Sequence, residues 1–175
     1  MKIDHSDYDK IPVRAEIAAL ARRYGGPALD VGTGGCACMA LTLARHGLQV
    51  TAVDHASSAV RIAQERVVGE LADRVEVRYA DAARLHFPDN SYQVVVAFDA
   101  LCHAPDPVAV LSEMFRVCAI GGVVIVAELN AAGRAVTRHH DGGFERKLPD
   151  LLALHCRDCR RLEHLHHVTY VCVRP

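Results

Sequence analysis

Ala28-Leu29-Asp30-Val31-Gly32-Thr33-Gly34-Gly35 and, further on, Val50-Thr51-Ala52-Val53-Asp54 decide the fold of this chain. Each is a short apolar run carrying an acid. The first breaks into glycines before a helical pattern resumes at Met39, Leu41 and Leu43. Glycine lets a backbone turn tightly and approach a ligand with no Cβ in the way. A strand, a Gly-rich turn and a helix, with an acid closing the next strand about 20 residues later, build a pocket for the ribose of a nucleotide. Asp30, just ahead of Gly32, discriminates among nucleotides. Its carboxylate would repel a pyrophosphate brought to the turn, and would attract a phosphate-free nucleoside bearing positive groups.

Further motifs follow in order. Ala80-Asp81-Ala82 comes after a third apolar run, and Phe87-Pro88-Asp89-Asn90-Ser91-Tyr92 leads into a fourth that ends at Phe98. Leu101-Cys102-His103 lies just beyond, and Leu111 to Val126 carries Arg116-Val117 and Gly121-Gly122. Together these segments resemble the class I S-adenosylmethionine-dependent methyltransferases over most of the chain. The donor suits Asp30, since it carries an ammonium and a sulfonium and no phosphate. The resemblance implies that the turn of Gly32, Thr33 and Gly34 cradles the donor's amino-acid part. It also implies that Asp54, with His55 beside it, takes the ribose, and that Asp81 with the Ala82 amide takes the adenine. Phe98 completes the expected cofactor surface. Tyr8, in Asp7-Tyr8-Asp9, resembles an N-terminal tyrosine that closes over the cofactor in some relatives.

The family often has a third glycine where this chain has Cys36, and the turn is one residue longer, so Cys36 or Ala37 is expected beside the cofactor. Gly32, Gly34 and Ala37 also satisfy a looser dinucleotide pattern, which leaves an NAD(P)-dependent oxidoreductase as the alternative. A non-catalytic S-adenosylmethionine-binding partner subunit is a third reading. His103 follows strand four, where parallel α/β sheets place their ligands. An imidazole there takes a proton from an acceptor as the methyl arrives, or simply shapes the pocket. Such a reaction does not require a base, because aligning a reactive donor with its nucleophile supplies roughly 7–11 kcal/mol.

With 175 residues the chain suits one domain, half of it apolar and so able to build a core. The expected organisation is an N-terminal segment and helix over residues 1–26, a cofactor-binding core over 27–130, and a C-terminal helix and strand hairpin over 131–175. A formal net charge of −1 supplies no global basic field, so no nucleic-acid partner is expected. No apolar run reaches the roughly 18 residues of a membrane span, and Met1 to Lys10 carries no signal-peptide core. Seven scattered cysteines read as reduced thiols, hence a cytoplasmic location. The segments before strand one and after strand five are brief. They imply a substrate side left open for a small-molecule methyl acceptor, or completed by a second copy of the chain or another partner.

Alternating patterns predict helices over Ile11–Tyr24, Ala37–Arg45, Ser57–Glu70 and Pro107–Cys118, the last capped by Asp106 with proline at its first position. Ser57 or Ser58 is the expected cap of the third helix. Strands are expected over Ala28–Val31, Val50–Val53, Val75–Tyr79, Gln93–Phe98 and Val123–Glu128. Gly121-Gly122 should turn the fourth helix into the fifth strand. Asn130–Gly143 has no regular pattern, and Phe144–His155 reads as a helix broken or delayed by Pro149. Leu162–His166 and Val168–Val173 read as a closing hairpin. The expectation is an α/β single-domain Rossmann-like doubly wound sheet, mostly parallel. The resemblance adds the count of seven strands with the last antiparallel. Near the C-terminus, Cys156, Cys159, His164 and His166 have the spacing of a zinc site. Yet strand six must keep one face for the core and the resemblance calls for no metal, so reduced thiols and a solvated edge of histidines are expected instead.

Overall fold

The computed structural model describes residues 10–138 and 143–175. Seven strands form one sheet in the order β3-β2-β1-β4-β5-β7-β6. They are β1 (Pro27–Val31), β2 (Gln49–Asp54), β3 (Val75–Tyr79), β4 (Tyr92–Phe98), β5 (Cys118–Leu129), β6 (Cys159–Glu163) and β7 (His167–Val173). The first five pair in parallel, β7 runs antiparallel to β5, and β6 runs antiparallel to β7. The fold is thus a Rossmann-like α/β sheet, as the alternating patterns predict.

Among the described residues six α-helices accompany the strands: α1 (Ile11–Arg22), α2 (Cys38–Arg45), α3 (Ser57–Arg66), α4 (Pro107–Val117), α5 (Ala131–Thr137) and α6 (Leu148–Ala153). Strand β4 shows why the central runs are continuously apolar. Val94 and Val96 enter a core with α1, α2 and α3, while Val95 and Ala97 enter a second core with α4 and α6. Helix α4 starts as its sequence dictates, with the Asp106 carboxylate accepting from the Ala109 amide at 3.0 Å.

Several boundaries depart from the sequence reading. Helix α3 ends at Arg66 and is followed by a separate 3-10 turn, Gly69–Leu71. Its cap position is Ala56, so neither serine caps the helix, and the Ala56 amide donates to Asp54 Oδ1 at 2.9 Å. Helix α4 runs directly into β5, and Gly121-Gly122 lies inside that strand beside an irregularity in the β4 register. A Cβ on Gly122 would stand 2.7 Å from the Gln93 carbonyl oxygen, so close backbone approach, not a turn, requires that glycine. The patternless Asn130–Gly143 stretch contains α5, capped by the Asn130 side chain accepting from Gly133 N. In the hairpin, β6 begins at Cys159 and ends at Glu163, which puts His164 and His166 in the turn and His167 at the start of β7.

The seven cysteines are not all free. Cys159 and Cys172 face each other across β6 and β7, 4.3 Å apart at Cα, and form a disulfide. Spacing alone could not show this, because the pairing depends on hairpin register. The bond also removes Cys159 from the four-ligand metal set that spacing allowed.

Candidate functional site

Strand order reverses between β1 and β4, each of the halves running outward from that pair. In open α/β sheets ligands bind at the carboxyl ends of the strands at such a switch point. The Gly-rich turn leaves β1 here. Its Gly32 and Thr33 amides both donate to the Val53 carbonyl, at 2.9 and 3.0 Å, and its Gly34 amide donates to Asp54 Oδ2 at 2.9 Å. Gly32 is needed for space, since a Cβ would lie 2.5 Å from the Ala100 Cβ. Gly34 is needed for its φ of +60°, and the space a side chain would take is open.

The structure draws Asp54, Asp81 and the turn to one edge. Ala80 N donates to the Asp54 carbonyl at 3.0 Å, which seats the following Asp81-Ala82 beside the end of β2. Asp81 is exposed, and its Oδ1 accepts from Ala83 N at 2.9 Å. Asp54 already accepts one backbone amide on each oxygen. A carboxylate offers about four lone-pair sites, so two remain for hydroxyl donors. His55 projects into solvent, with 76% of its side chain exposed. Cys36 is exposed, whereas Ala37 is buried in the core at the left-handed cap of α2. The turn can therefore present Cys36, and not the Ala37 side chain, to a ligand.

Asp30 is buried, and its Oδ2 accepts from Ala40 N at 3.1 Å, pinning α2 against the turn. Burial raises its pKa to about 6, opposed by the Thr33 hydroxyl and the Ala40 amide and reinforced by Asp54. Tyr8 lies outside the described residues.

At the ends of β4, β5 and β7 the structure gathers groups that sequence reading passed over. Asp99, in the left-handed region at φ +50°, receives Lys10 Nζ at 2.6 Å and His167 Nε2 at 3.1 Å. Burial raises the Asp99 pKa, but His167 and Lys10 outweigh it and hold the carboxyl below its ordinary value. Phe98 packs its ring 5.0 Å from that of His167, with Lys10 and Arg14 over it at 5.9 and 5.8 Å. Glu128, at the end of β5, is fully buried. Its Oε1 accepts from Leu101 N at 2.8 Å and Cys102 N at 3.4 Å. Those amides belong to the 3-10 turn Leu101–His103, on which His103 stands exposed. Asp99 and Glu128 follow apolar runs as Asp54 does, a signal that sequence reading had available. His167 gave none, because nothing local marks a hairpin histidine as buried.

A Gly-rich turn at the switch point, with an acid ending β2 and another after β3, defines a Rossmann-like nucleoside-binding domain. The comparisons narrow that class. A family model described as "Methyltransferase domain" matches residues 29–126. Phosphatidylethanolamine N-methyltransferase of Cereibacter sphaeroides is 33% identical over 153 residues, covering 78% of this chain and 74% of that protein. Ubiquinone biosynthesis O-methyltransferase of Albidiferax ferrireducens is 32% identical over 126 residues, covering 71% of this chain and 50% of that protein. The crystal structure of a putative S-adenosyl-L-methionine-dependent methyltransferase from Methanococcus maripaludis superposes with a TM-score of 0.76 at 15% identity, covering 98% of this chain and 89% of that one. The chain belongs to the class I S-adenosylmethionine-dependent methyltransferase family.

Proposed function

We propose that this protein transfers a methyl group from S-adenosylmethionine to a nucleophilic atom of a small molecule. The observation that carries this reading is the arrangement of the turn: Gly34 opens onto free space while its amide is fastened to Asp54 at 2.9 Å. An open cradle with an adjacent acid fits a nucleoside whose ribose hydroxyls donate and whose tail lies along the glycines. Asp54 would hold the ribose, Asp81 and the Ala82 amide the adenine, and Gly32 to Gly34 the amino-acid part. Cys36 and Phe98 would border the bound donor, and the Asp30 charge would draw its cationic groups. The chemistry the donor supplies when bound is a sulfonium-borne methyl group, leaving S-adenosylhomocysteine once it is passed on.

What this chain contributes is orientation and, at one place, a proton acceptor. His103 stands on the turn after β4 and accepts the proton that an acceptor O–H, N–H or S–H loses. The relatives include an N- and an O-methyltransferase by name, so what this chain shares with them favours the donor half of the reaction. The acceptor is sought by incubating the protein with methyl-labelled donor and a metabolite extract and finding the labelled product by mass spectrometry.

Thermal unfolding tests the cofactor directly. S-Adenosylhomocysteine at about 100 times its dissociation constant adds roughly 2.7 kcal/mol of apparent stability. NAD and NADP at the same concentration leave the midpoint unchanged. A shift with NAD alone would overturn the assignment in favour of an oxidoreductase.

A further inference from the structure

Glu128 is a buried carboxyl in the wrong place for a purely apolar core. It ends β5 at 0% exposure, beneath the turn that carries His103. One oxygen is committed to the Leu101 and Cys102 amides, and Oε2 has no hydrogen-bond partner among the described residues. Leaving a buried carboxylate oxygen unpaired costs stability, and an apolar residue in its place would avoid that cost. The compensation lies in what the other oxygen does. Within the backbone of the turn, His103 N donates to Ala100 O at 3.2 Å and Ala104 N to Leu101 O at 3.1 Å. The Glu128 contacts, from a strand 27 residues away, anchor it to the sheet.

We propose that Glu128 is a positioning residue: by gripping the Leu101 and Cys102 amides it sets the turn bearing His103 at the open edge of β4, and its ionisation sets how tightly that turn is held. As a carboxylate it accepts both amides in charge-assisted bonds, while as a neutral acid it holds them more weakly. The inference rests on the methyltransferase reading only where it calls His103 a proton acceptor.

The groups around Glu128 make its ionisation sensitive near neutrality. Burial raises its pKa to about 7, reinforced by the Asp99 carboxylate and opposed by the Cys102 thiol and the two amides. From β7, His167 binds Asp99, and Lys10 from the start of α1 does the same. From α5, Arg134 is paired with Glu145 and with the Leu129 carbonyl.

Nuclear magnetic resonance of the full chain tests this. The Leu101 and Cys102 amide signals and the Glu128 carboxyl carbon signal should move together with a midpoint near pH 7. In Glu128→Gln, which keeps an acceptor but cannot ionise, that common step disappears. Glu128→Ala should exchange the Leu101 amide at least about tenfold faster than Glu128→Gln, the loss expected for one buried hydrogen bond. Should Glu128→Ala fail to fold, the Gln variant alone decides. The proposal is overturned if the step near pH 7 persists in the Leu101 and Cys102 amides of Glu128→Gln, or if those amides do not follow the carboxyl carbon in the parent. Calorimetry with S-adenosylhomocysteine runs in parallel: failure of parent and Gln variant alike to bind it would sink the methyltransferase reading while leaving the turn's titration to be judged on its own.

Discussion

Asp54 carries the most at the scale of single residues, because its two oxygens tie the Gly-rich turn to the start of α3 before any ligand arrives. Asp54→Ala therefore removes both the proposed ribose acceptor and the fastening of Gly34. The expected loss of S-adenosylhomocysteine affinity is roughly 2–4 kcal/mol, about 30- to 800-fold, by calorimetry. Equal affinity for variant and parent would remove Asp54 from the site. Asp30 acts through charge instead, and its elevated pKa lets that be measured. A cation bound nearby favours the carboxylate, so the complex holds fewer protons than the free protein. Affinity for S-adenosylhomocysteine should rise as pH passes upward through about 6, and Asp30→Asn should lose that slope.

Among the elements, the β6–β7 hairpin depends most on covalent closure. Strand β6 is an edge strand with mostly exposed residues, so its own packing against the core is thin. The Cys159–Cys172 bond closes a short loop, with 13 residues of sequence separation. Chain-entropy reasoning puts the stabilisation from a loop of this size at roughly 3 kcal/mol. Cys172→Ser, or reductant added to the parent, should lower the melting midpoint by roughly 6–12 °C. Indifference to both would mean that the thiols are reduced in solution, as cysteine spacing alone suggested.

For the whole molecule, the raised carboxyls predict an unusual pH profile. Asp30 and Glu128 have folded pKa values of about 6 and about 7, against ordinary values of 3.8 and 4.5. The folded state therefore binds more protons than the unfolded state between about pH 4 and pH 7, and stability falls as pH rises through that window. The change is on the order of 3 kcal/mol for each group. Asp99, held low, has the opposite sign and contributes stability that is lost only as pH falls below the ordinary carboxylate range. Denaturant melts across pH 4–8 should show maximal stability on the acid side of neutrality. Asp30→Asn and Glu128→Gln should each flatten the decline.

The Gly-rich turn and the acid beside it were legible in the sequence because each is marked by its own neighbours. A glycine with positive φ and a capping Asp-Pro pair act within a few residues, and an acid ending an apolar run is marked by that run even though Asp54 reaches Gly34 across 20 residues. Gly32, Gly34, Asp54 and Asp106 could therefore be read without coordinates. The alternating runs likewise announced the α/β sheet, since burial on both faces demands continuous apolar strands. What brings Lys10, Asp99 and His167 together, sets the Phe98 ring against that histidine and places Glu128 under the Leu101–His103 turn is tertiary packing between distant segments. The same is true of Cys159 opposite Cys172, which a one-residue change of hairpin register would separate. These groups meet only after β4, β5 and β7 have found their order in the sheet, and no spacing along the chain encodes that order.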